Sequence, residues 1–326
     1  LHPRVRRQRQ MCIRDSANQA RIHQFDMNDK ENCRYSPDVV SFAREKGYFN
    51  GVNKDFSFSL AYAPLDFGAR RFCEARVWSY FNKFTDRGNE YLPYIEGKTD
   101  TPMPLFVKPK QKLSVQDVKN MMRDHYEGTP LDISNDFGAG PYKTPYRLSP
   151  LNFKVDDKEY FNERPISTQQ SGFVFVAQMR AHMPDPVGGV LWFGVDDANM
   201  TVFTPVYCCA TKVPVCYTRV DGADYITFSW NSAFWIFNWV SNMVYPRYDL
   251  MIGDVRETQK EMESTFNTAQ AGIEEMAVKL LEKDKDAAIN FLTNYTNMTA
   301  QSTFDTWKPT TLRSHGILLS GFSIGC

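Results

Sequence analysis

Apolar residues recur at helical spacing in several short segments of the first third of the chain. Ser36-Pro37-Asp38 precedes an apolar run that ends at Gly47, which predicts a helix with proline in its first turn. Residues 69–84 predict a second helix, and Ser114 starts a third, with an acidic residue three positions later as in a capping box. Residues 56–63 alternate large apolar and small side chains, which predicts a half-buried strand or an extended segment.

The middle of the chain combines a long aperiodic segment with three alternating runs. Residues 126–165 are rich in Gly, Pro, Asn and Asp, and a segment of this length predicts a loop that covers a site or wraps a sheet. Residues 171–179, 188–195 and 201–207 are short β-rich runs separated by turn residues. Together they predict a meander of antiparallel strands.

Helical periodicity dominates from about residue 225 to residue 307. In the first half of this region the apolar positions are spaced four and three residues apart, which predicts a narrow seam that packs against one partner helix. The seam consists of Met262, Phe266, Ala269, Ile273, Met276 and Leu280. Asp284-Lys285-Asp286 turns the chain into a return helix, so a C-terminal helical hairpin is expected. Packing within one chain is the simpler interpretation, and a homo-oligomer through the seam is the alternative.

Composition and charge narrow the classes of partner. The chain has 326 residues, with 38 basic and 38 acidic side chains. This balance gives no overall field to hold a nucleic acid or an anionic membrane, so neither is predicted as a partner. The longest apolar stretch, residues 233–245, is interrupted by polar residues and falls short of the roughly 18 needed to span a bilayer. It predicts a buried helix.

Motifs of common chemistry are missing from the sequence. There is no phosphate-binding loop, HExxH, GxSxG or paired-carboxylate motif, and no metal site is predicted. The seven cysteines show neither a zinc-ligand spacing nor a disulfide framework, and the adjacent Cys208 and Cys209 are interpreted as small core or strand residues. His125 ends a predicted helix and enters the aperiodic segment, either as a helix cap or as a site residue. The pattern alone predicts an α+β domain without an identifiable active site.

Both ends of the chain differ from the rest. Residues 1–16 carry five arginines and one acid, yet lack the periodicity of a transit peptide and the apolar run of a signal peptide. The string QMCIRDS within them resembles a translated sequencing adapter. Residues 308–326 break from the helical pattern before them. We expect residues 17–307 to be genuine protein and both ends to carry no function.

Six segments, taken in chain order, resemble the cysteine-nucleophile dipeptidases of the N-terminal-nucleophile hydrolase class. The most specific are FAREKGYF and RDHYEGTP. The six span residues 17–22, 31–49, 70–78, 121–132, 164–180 and 190–207. The run SAFWIFNWVSNMVYPRY, with the acidic helix after it, is similar to the C-terminal region of the same family. The resemblance covers roughly residues 17–307.

Membership of that family implies an αββα sandwich, in which two antiparallel sheets lie between helical layers. It also implies a dipeptide substrate, no metal and no organic cofactor. The mature enzyme would begin with a cysteine whose thiolate attacks the peptide carbonyl while its own α-amino group acts as base. An amine with a pKa of about 7.7–8.0 beside a thiol of about 8.5 suits this task at neutral pH. A carboxylate would recognise the free amine of the substrate.

The chain departs from the family pattern at the nucleophile. Family members place the cysteine and an Arg/Asp-bearing hairpin upstream of the segment that corresponds to ANQARI, and this chain has no such region. Cys12 precedes the matching part but lacks the small neighbouring residues. Cys33 and Cys73 lie in mid-chain and have no free amine. We therefore expect an incomplete sandwich, a fragment without its catalytic cysteine that is inactive by itself.

Four residues are candidates for family roles. Asn18 resembles the asparagine that related hydrolases direct at the oxyanion, the alternative being an ordinary turn residue. Arg164 could pair with a substrate carboxylate or the surroundings of the nucleophile. Asp124 and His125 could line the substrate pocket.

Two rival functions remain at this stage. One is a related amide hydrolase acting on N-acyl amino acids or conjugated bile acids. The other is a non-enzymatic helical interaction module built on the 262–280 seam. The sequence leaves dipeptide preference, compartment and oligomeric state open.

Overall fold

The computed structural model describes residues 13–14, 17–147 and 152–308, and combines helices with small antiparallel sheets. The predicted α+β class is therefore confirmed. The chain forms two compact units. The first comprises residues 1–113 and 147–165, and the second residues 114–146 and 166–326. Cys12 and most of the two doubtful ends lie outside the described residues.

The first unit is built from short helices and two small hairpins. Its helices are α1 (Val39–Glu45), α2 (Phe58–Tyr62), α3 (Phe67–Ala69), α4 (Ala75–Phe84) and α5 (Gly88–Ile95). Its strands are β1 (Ile13–Arg14), β2 (Phe106–Val107), β3 (Asn152–Val155) and β4 (Lys158–Phe161), with β1 antiparallel to β2 and β3 antiparallel to β4.

Helix α1 confirms the first prediction. It begins directly after Ser36-Pro37-Asp38 and ends two residues before Gly47, whose φ of 73° is the left-handed conformation that glycine tolerates best. Its buried face, Val39, Val40 and Ala43, packs in a small core with Phe56 and Ala61.

The predicted strand over residues 56–63 is wrong, because most of it is helix α2. The Ser57 hydroxyl accepts a hydrogen bond from Leu60 N and caps the helix. Phe56 and Ala61 are buried whereas Leu60 is 65% exposed, so the inward positions do not alternate. A serine cap competes well with extended structure when local hydrogen bonds can be made at once.

The predicted helix over residues 69–84 is confirmed, with a local irregularity. A π-helical turn, Arg70–Glu74, joins α3 to α4. Ala75, Val77, Trp78 and Phe81 of this helical segment are buried, and Phe72 is half-buried.

The segment of residues 126–165 is less uniform than its sequence predicts, since it contains the hairpin of β3 and β4. Both strands have four residues, and every residue but Phe161 is exposed. An exposed hairpin needs no apolar alternation, which explains why the pattern gave no strand signal there.

Among the described residues, the second unit contains one sheet and five α-helices. Its strands are β5 (Phe173–Met179), β6 (Gly189–Val195) and β7 (Thr204–Tyr207). Its helices are α6 (Val115–Met121), α7 (Asp185–Gly188), α8 (Ala233–Val244), α9 (Tyr248–Leu281) and α10 (Lys285–Trp307). The sheet order is β5-β6-β7 and both pairings are antiparallel, which confirms the predicted meander.

The two faces of this sheet have different surroundings. On one face Val176, Val190, Trp192 and Tyr207 are buried in the core formed with α8, α9 and α10. The other face, which we call the open face, carries Phe173, Phe175 and Met179, which are 62%, 47% and 61% exposed. Phe193 lies opposite Phe175 on this face and stacks on Phe173 at 6.0 Å.

The C-terminal helical hairpin is confirmed, since α9 packs against α10 and the sheet core. The seam is only partly correct. Phe266 is buried and Met262 and Ile273 contact the core, but Met276 is 49% exposed. The buried stripe of α9 consists of Met251, Val255, Gln259, Glu263, Phe266, Glu274 and Ala277.

Gln259, Glu263 and Glu274 belong to that stripe because each is hydrogen-bonded within the second unit. A pattern of apolar residues alone cannot predict such buried polar positions. Part of the seam, namely Phe266 with Met262 and Ile273, is thus used within the chain, while the interaction-module hypothesis stays an untested alternative. None of the helices in the described ranges is both long and apolar enough to cross a bilayer.

Candidate functional site

A group of buried polar residues follows helix α6 in the second unit. The Ser114 hydroxyl accepts from Asp117 N at 3.1 Å, and the Asp117 carboxylate accepts from Ser114 N at 2.7 Å, which confirms the capping box. After the helix the chain turns inward, and Asp124 and His125 are only 3% and 1% exposed. His125 lies beyond the helix end. Its Nδ1 contacts the Glu127 carboxylate at 3.2 Å instead of capping α6.

A second buried segment follows strand β6. Every residue from 194 to 205 is buried, including Asp196, Asp197 and Asn199. The Asp197 carboxylate accepts hydrogen bonds from Asn199 N at 2.9 Å, from the Ser167 hydroxyl at 3.4 Å and from the Tyr245 hydroxyl. Two neighbouring carboxylates therefore lie in the interior and are held by donors.

Ser167 connects the two segments. Its backbone N–H donates to the carbonyl of Asp124 at 3.1 Å, and its hydroxyl donates to Asp197. We call Asp124, His125, Ser167, Asp197, Asn199 and Tyr245 the acid–histidine cluster.

Burial dominates the electrostatics of this cluster. It raises the pKa of Asp197, while the hydrogen bonds from Tyr245 and Asn199 and the charge of His125 act in the opposite direction. Burial likewise raises the pKa of Asp196, against hydrogen bonds from Asn238 and Ser241.

Glu127 lies at the outer edge of the cluster. Burial would raise its pKa, but the hydrogen bonds and charge of His125 outweigh that effect and lower the pKa to about 2. The opposite ring nitrogen, Nε2 of His125, is buried and has no hydrogen-bond partner among the described residues. A buried imidazole nitrogen in this position can exchange a proton or receive a hydrogen bond from a small polar group.

Helix α9 holds the buried segment from the side. Arg256 Nη1 donates to the carbonyl of Asn199 at 2.7 Å, and Gln259 Nε2 donates to the carbonyls of Asn199 and Thr201 at 2.9 and 2.7 Å. One turn further, the Glu263 carboxylate accepts from Phe203 N at 2.9 Å. These three helix residues lie on one face, since they are three and four positions apart.

Lys119 of α6 is fully buried beside this clamp. Its Nζ lies 3.5 Å from the ring centroid of Trp192 and 3.1 Å from Asn267 Oδ1. Burial lowers its pKa to about 7; the charge of Glu263 acts against this shift and that of Arg123 adds to it.

We expect this lysine to make stability depend on pH. Between about pH 7 and 10.5 the unfolded chain holds a proton on Lys119 that the folded chain has released, so stability rises with pH by about 1.4 kcal/mol per unit. Urea unfolding at about pH 7, 8 and 9 of the parent chain and of Lys119→Met isolates the effect, because other groups titrate equally in both. A stability difference that stays constant with pH would contradict the expectation.

The four predicted site residues fall into two pairs. Asp124 and His125 are neighbours in the second unit, whereas Asn18 and Arg164 belong to the first. Asn18 is exposed, has a φ of 60°, and its Oδ1 accepts from Arg76 Nη2 at 2.9 Å. The Arg164 guanidinium lies 5.5 Å from the ring centroid of Phe72.

Asn18 and Arg164 both contact the helical segment that contains Phe72 and Arg76. Phe72 and Arg76 are one helical turn apart, and the carbonyl of Phe72 accepts from Arg76 Nε at 2.8 Å. The residue before Arg164 is fixed as well, because the Glu163 carboxylate is paired with Arg71 at 2.7 Å and with Arg147.

Sequence reasoning missed Asp196, Asp197, Asn199 and Tyr245. The available signal was an acidic pair placed immediately after an apolar strand, where a turn to solvent is the usual reading. Asn199 also begins an Asn-X-Thr sequon, and its full burial indicates a structural residue and not a glycan acceptor. Within residues 17–147 and 152–308, no group of three or more His, Cys, Asp or Glu side chains is arranged to hold a metal ion.

Comparison with known proteins places these features in a family. A probable dipeptidase of Salmonella dublin is 30% identical over 192 residues, which are 59% of this chain and 39% of that protein. A probable dipeptidase of Latilactobacillus sakei is 24% identical over 283 residues, 86% of this chain and 52% of that protein. Dipeptidase A of Lactobacillus helveticus is 20% identical over 219 residues, 67% of this chain and 40% of that protein.

The chain spans about half the length, or less, of these curated relatives. The profile of peptidase family C69 matches residues 5–261, a range that contains both pairs of candidate residues and the whole sheet of the second unit. The resemblance to cysteine dipeptidases is thereby confirmed at the level of the family. The chain belongs to peptidase family C69.

Proposed function

We propose that the whole protein hydrolyses the peptide bond of dipeptides through an N-terminal cysteine. The thiol gives its proton to the α-amino group of the same residue, and the thiolate attacks the peptide carbonyl. The C–N bond then breaks, the leaving amine takes the proton, and a thioester joins the first amino acid to the enzyme. Water hydrolyses the thioester and restores the thiol. Membership of a peptidase family, with relatives named as dipeptidases, is the observation that carries this proposal.

The nucleophile of this mechanism is proposed to lie outside the described residues. The cysteines within them are Cys33, Cys73, Cys208, Cys209 and Cys216. In each the α-nitrogen forms a peptide bond, so none has the free amine that the mechanism uses as base. Burial also raises the pKa of the Cys208, Cys209 and Cys216 thiols, the opposite of what a nucleophile needs.

We further propose that the second unit is one half of an αββα sandwich. The support is the open face of its sheet, where Phe173, Phe175 and Met179 are about half exposed or more. A strand that carries apolar residues on both of its faces is typical of a sheet that is covered on both sides. A second sheet, supplied by sequence that the relatives have in addition, would cover this face at the usual spacing of about 10 Å.

The four candidate residues receive proposed roles in this scheme. The Asn18 amide would donate to the oxyanion, and Arg164 would pair with the carboxylate of the substrate. Asp124 and His125, which are buried in the second unit, are proposed separately as residues that line a substrate pocket.

The test compares the complete gene product with a protein consisting of residues 17–308. We expect the complete protein to hydrolyse dipeptides and the shorter one to give no release above the uncatalysed rate, because the thiol and its amine are lacking. N-acyl amino acids and conjugated bile acids are assayed in parallel. Dipeptide cleavage by residues 17–308 would disprove the nucleophile assignment, and a complete protein that cleaves only acyl amides would replace the substrate class.

A further inference from the structure

The sequence contains a single Asn-Gly pair, Asn50-Gly51, which lies in an exposed loop of the first unit. The loop joins helix α1 to a 3₁₀ turn, Asn53–Asp55, and the pair belongs to neither a helix nor a strand. Asn50 is exposed. Among the described residues, neither the side-chain amide of Asn50 nor the backbone N–H of Gly51 has a hydrogen-bond partner. No contact therefore keeps these two groups from reacting with each other.

The two groups can close a ring without any other reactant. The backbone nitrogen of Gly51 attacks the side-chain carbonyl of Asn50, and the side-chain nitrogen leaves as ammonia together with the proton of the Gly51 N–H. The product is a five-membered succinimide ring. Glycine suits this step because it has no β-carbon beside the attacking nitrogen. Water then opens the ring at one of its two carbonyls, which gives either aspartate or isoaspartate, so that an amide and one water become a carboxylic acid and ammonia.

Asn53 is a natural comparison, because it lies three residues further along the same loop. Its Oδ1 accepts from Arg44 Nη2 at 2.6 Å, and its backbone is part of the 3₁₀ turn. The residue after it is a lysine, whose side chain crowds the nitrogen that would have to attack. The fold thus restrains Asn53 and leaves Asn50 unrestrained.

Isoaspartate at position 50 would lengthen the main chain between two fixed points. On one side, the Phe49 ring packs edge-on against Phe56 at 5.3 Å in the small core of the first unit. On the other side, the carbonyl of Gly51 accepts from Arg44 Nη2 at 2.8 Å. Isoaspartate adds one carbon atom to the main chain between these points, whereas aspartate adds none.

We propose that Asn50 is a site of spontaneous deamidation, and that its isoaspartate product loosens the packing of Phe49 on Phe56. Asparagine is one of the thermolabile residue types, and its local surroundings decide which copy reacts. The reaction needs only water, and the inference does not depend on the proposed peptidase activity.

The experiment incubates the full chain at mildly alkaline pH, digests it with trypsin and sequences the peptide of residues 47–54 by mass spectrometry. This peptide contains both asparagines, so each chain carries its own control. We expect the mass of Asn50 to rise by about 1 Da, with no change at Asn53. The synthetic peptide of residues 47–54 is incubated in parallel. If that peptide is converted while Asn50 of the folded chain is not, the fold protects the residue and the proposal is wrong.

Two variants separate the isoaspartate from the new charge. Asn50→Gln can close only a six-membered ring, which forms much more slowly, so an isoaspartyl methyltransferase with a labelled methyl donor should label the incubated parent and not this variant. Freshly made Asn50→Asp has the charge of the product without the added carbon, and should melt at the same temperature as the fresh parent. We expect the incubated parent alone to melt at a lower temperature. Equal labelling of parent and Asn50→Gln, or no fall in melting temperature once most chains carry isoaspartate, would contradict the proposal.

Discussion

Glu263→Ala is expected to lower the free energy of unfolding by about 3–5 kcal/mol, the cost typical of removing one partner of a buried ion pair. The Glu263 carboxylate is 2% exposed and pairs with the Arg123 guanidinium, which is 8% exposed. It also accepts from Phe203 N at 2.9 Å and from Gln116 Nε2 at 2.9 Å. Truncation would leave the buried guanidinium with only the carbonyl of Thr201 as acceptor and without a counter-charge, and the buried N–H of Phe203 without its acceptor.

Urea unfolding followed by circular dichroism measures this loss. Glu275→Ala is the matched control on the same helix, since Glu275 is exposed and its pairing with Lys279 spans one surface turn. We expect no measurable shift of the urea midpoint for the control. Glu263→Gln should fall between parent and alanine variant, because an amide oxygen can still accept from Phe203 N. A loss under about 1 kcal/mol for Glu263→Ala would show that the pair contributes no more than a surface pair does.

The elements that the sequence predicted well are those whose signal is local. The antiparallel meander follows from alternation within each run and from turn residues between runs, and helix α6 follows from a serine and an aspartate three residues apart. Both patterns are set by neighbours in the chain. Long-range partners could not alter them.

The misplaced seam of α9, in contrast, depends on partners far along the chain. Gln259 and Glu263 are inward on α9 only because Thr201, Phe203 and Arg123 are there to bond them. A prediction that considers only the apolar residues of α9 therefore places the seam at a different angle around the helix from the observed buried stripe. The exposure of Met276 is the clearest sign of that rotation.

The same distinction between local and long-range information applies to the residues of the candidate site. Asn18, Asp124, His125 and Arg164 came from resemblance, which carries information about related chains. The Asp197 carboxylate came only from the structure, because its donors, Ser167, Asn199 and Tyr245, are contributed by three separate segments. Two adjacent acids look like a solvated turn until the tertiary structure buries them.

The geometry around Asn18 gives the largest expected effect on activity. Arg76 Nη2 occupies the amide oxygen of Asn18 at 2.9 Å, so the oxygen points to the helix and the NH₂ group points away from Arg76. The residue is exposed, and its left-handed φ of 60° is a conformation that asparagine adopts more readily than most residues. An amide donor that is held in this way and faces solvent suits an oxyanion, because it costs no reorganisation during the reaction.

In the complete protein, Asn18→Ala is therefore expected to lower kcat for a dipeptide by about 10²–10³-fold, with little change in KM, since the donor acts on charge that develops only in the transition state. Alanine is strained at positive φ whereas glycine is not, so Asn18→Gly must show the same loss for the amide to be responsible.

Asn28→Ala, which changes an exposed asparagine of the same unit, is the control and should leave kcat unchanged. Arg76→Gln, which loosens the amide without removing it, should give a smaller loss. A change under about threefold in both Asn18 variants would remove this residue from the oxyanion site, since even the weaker single donors contribute about 2.7 kcal/mol.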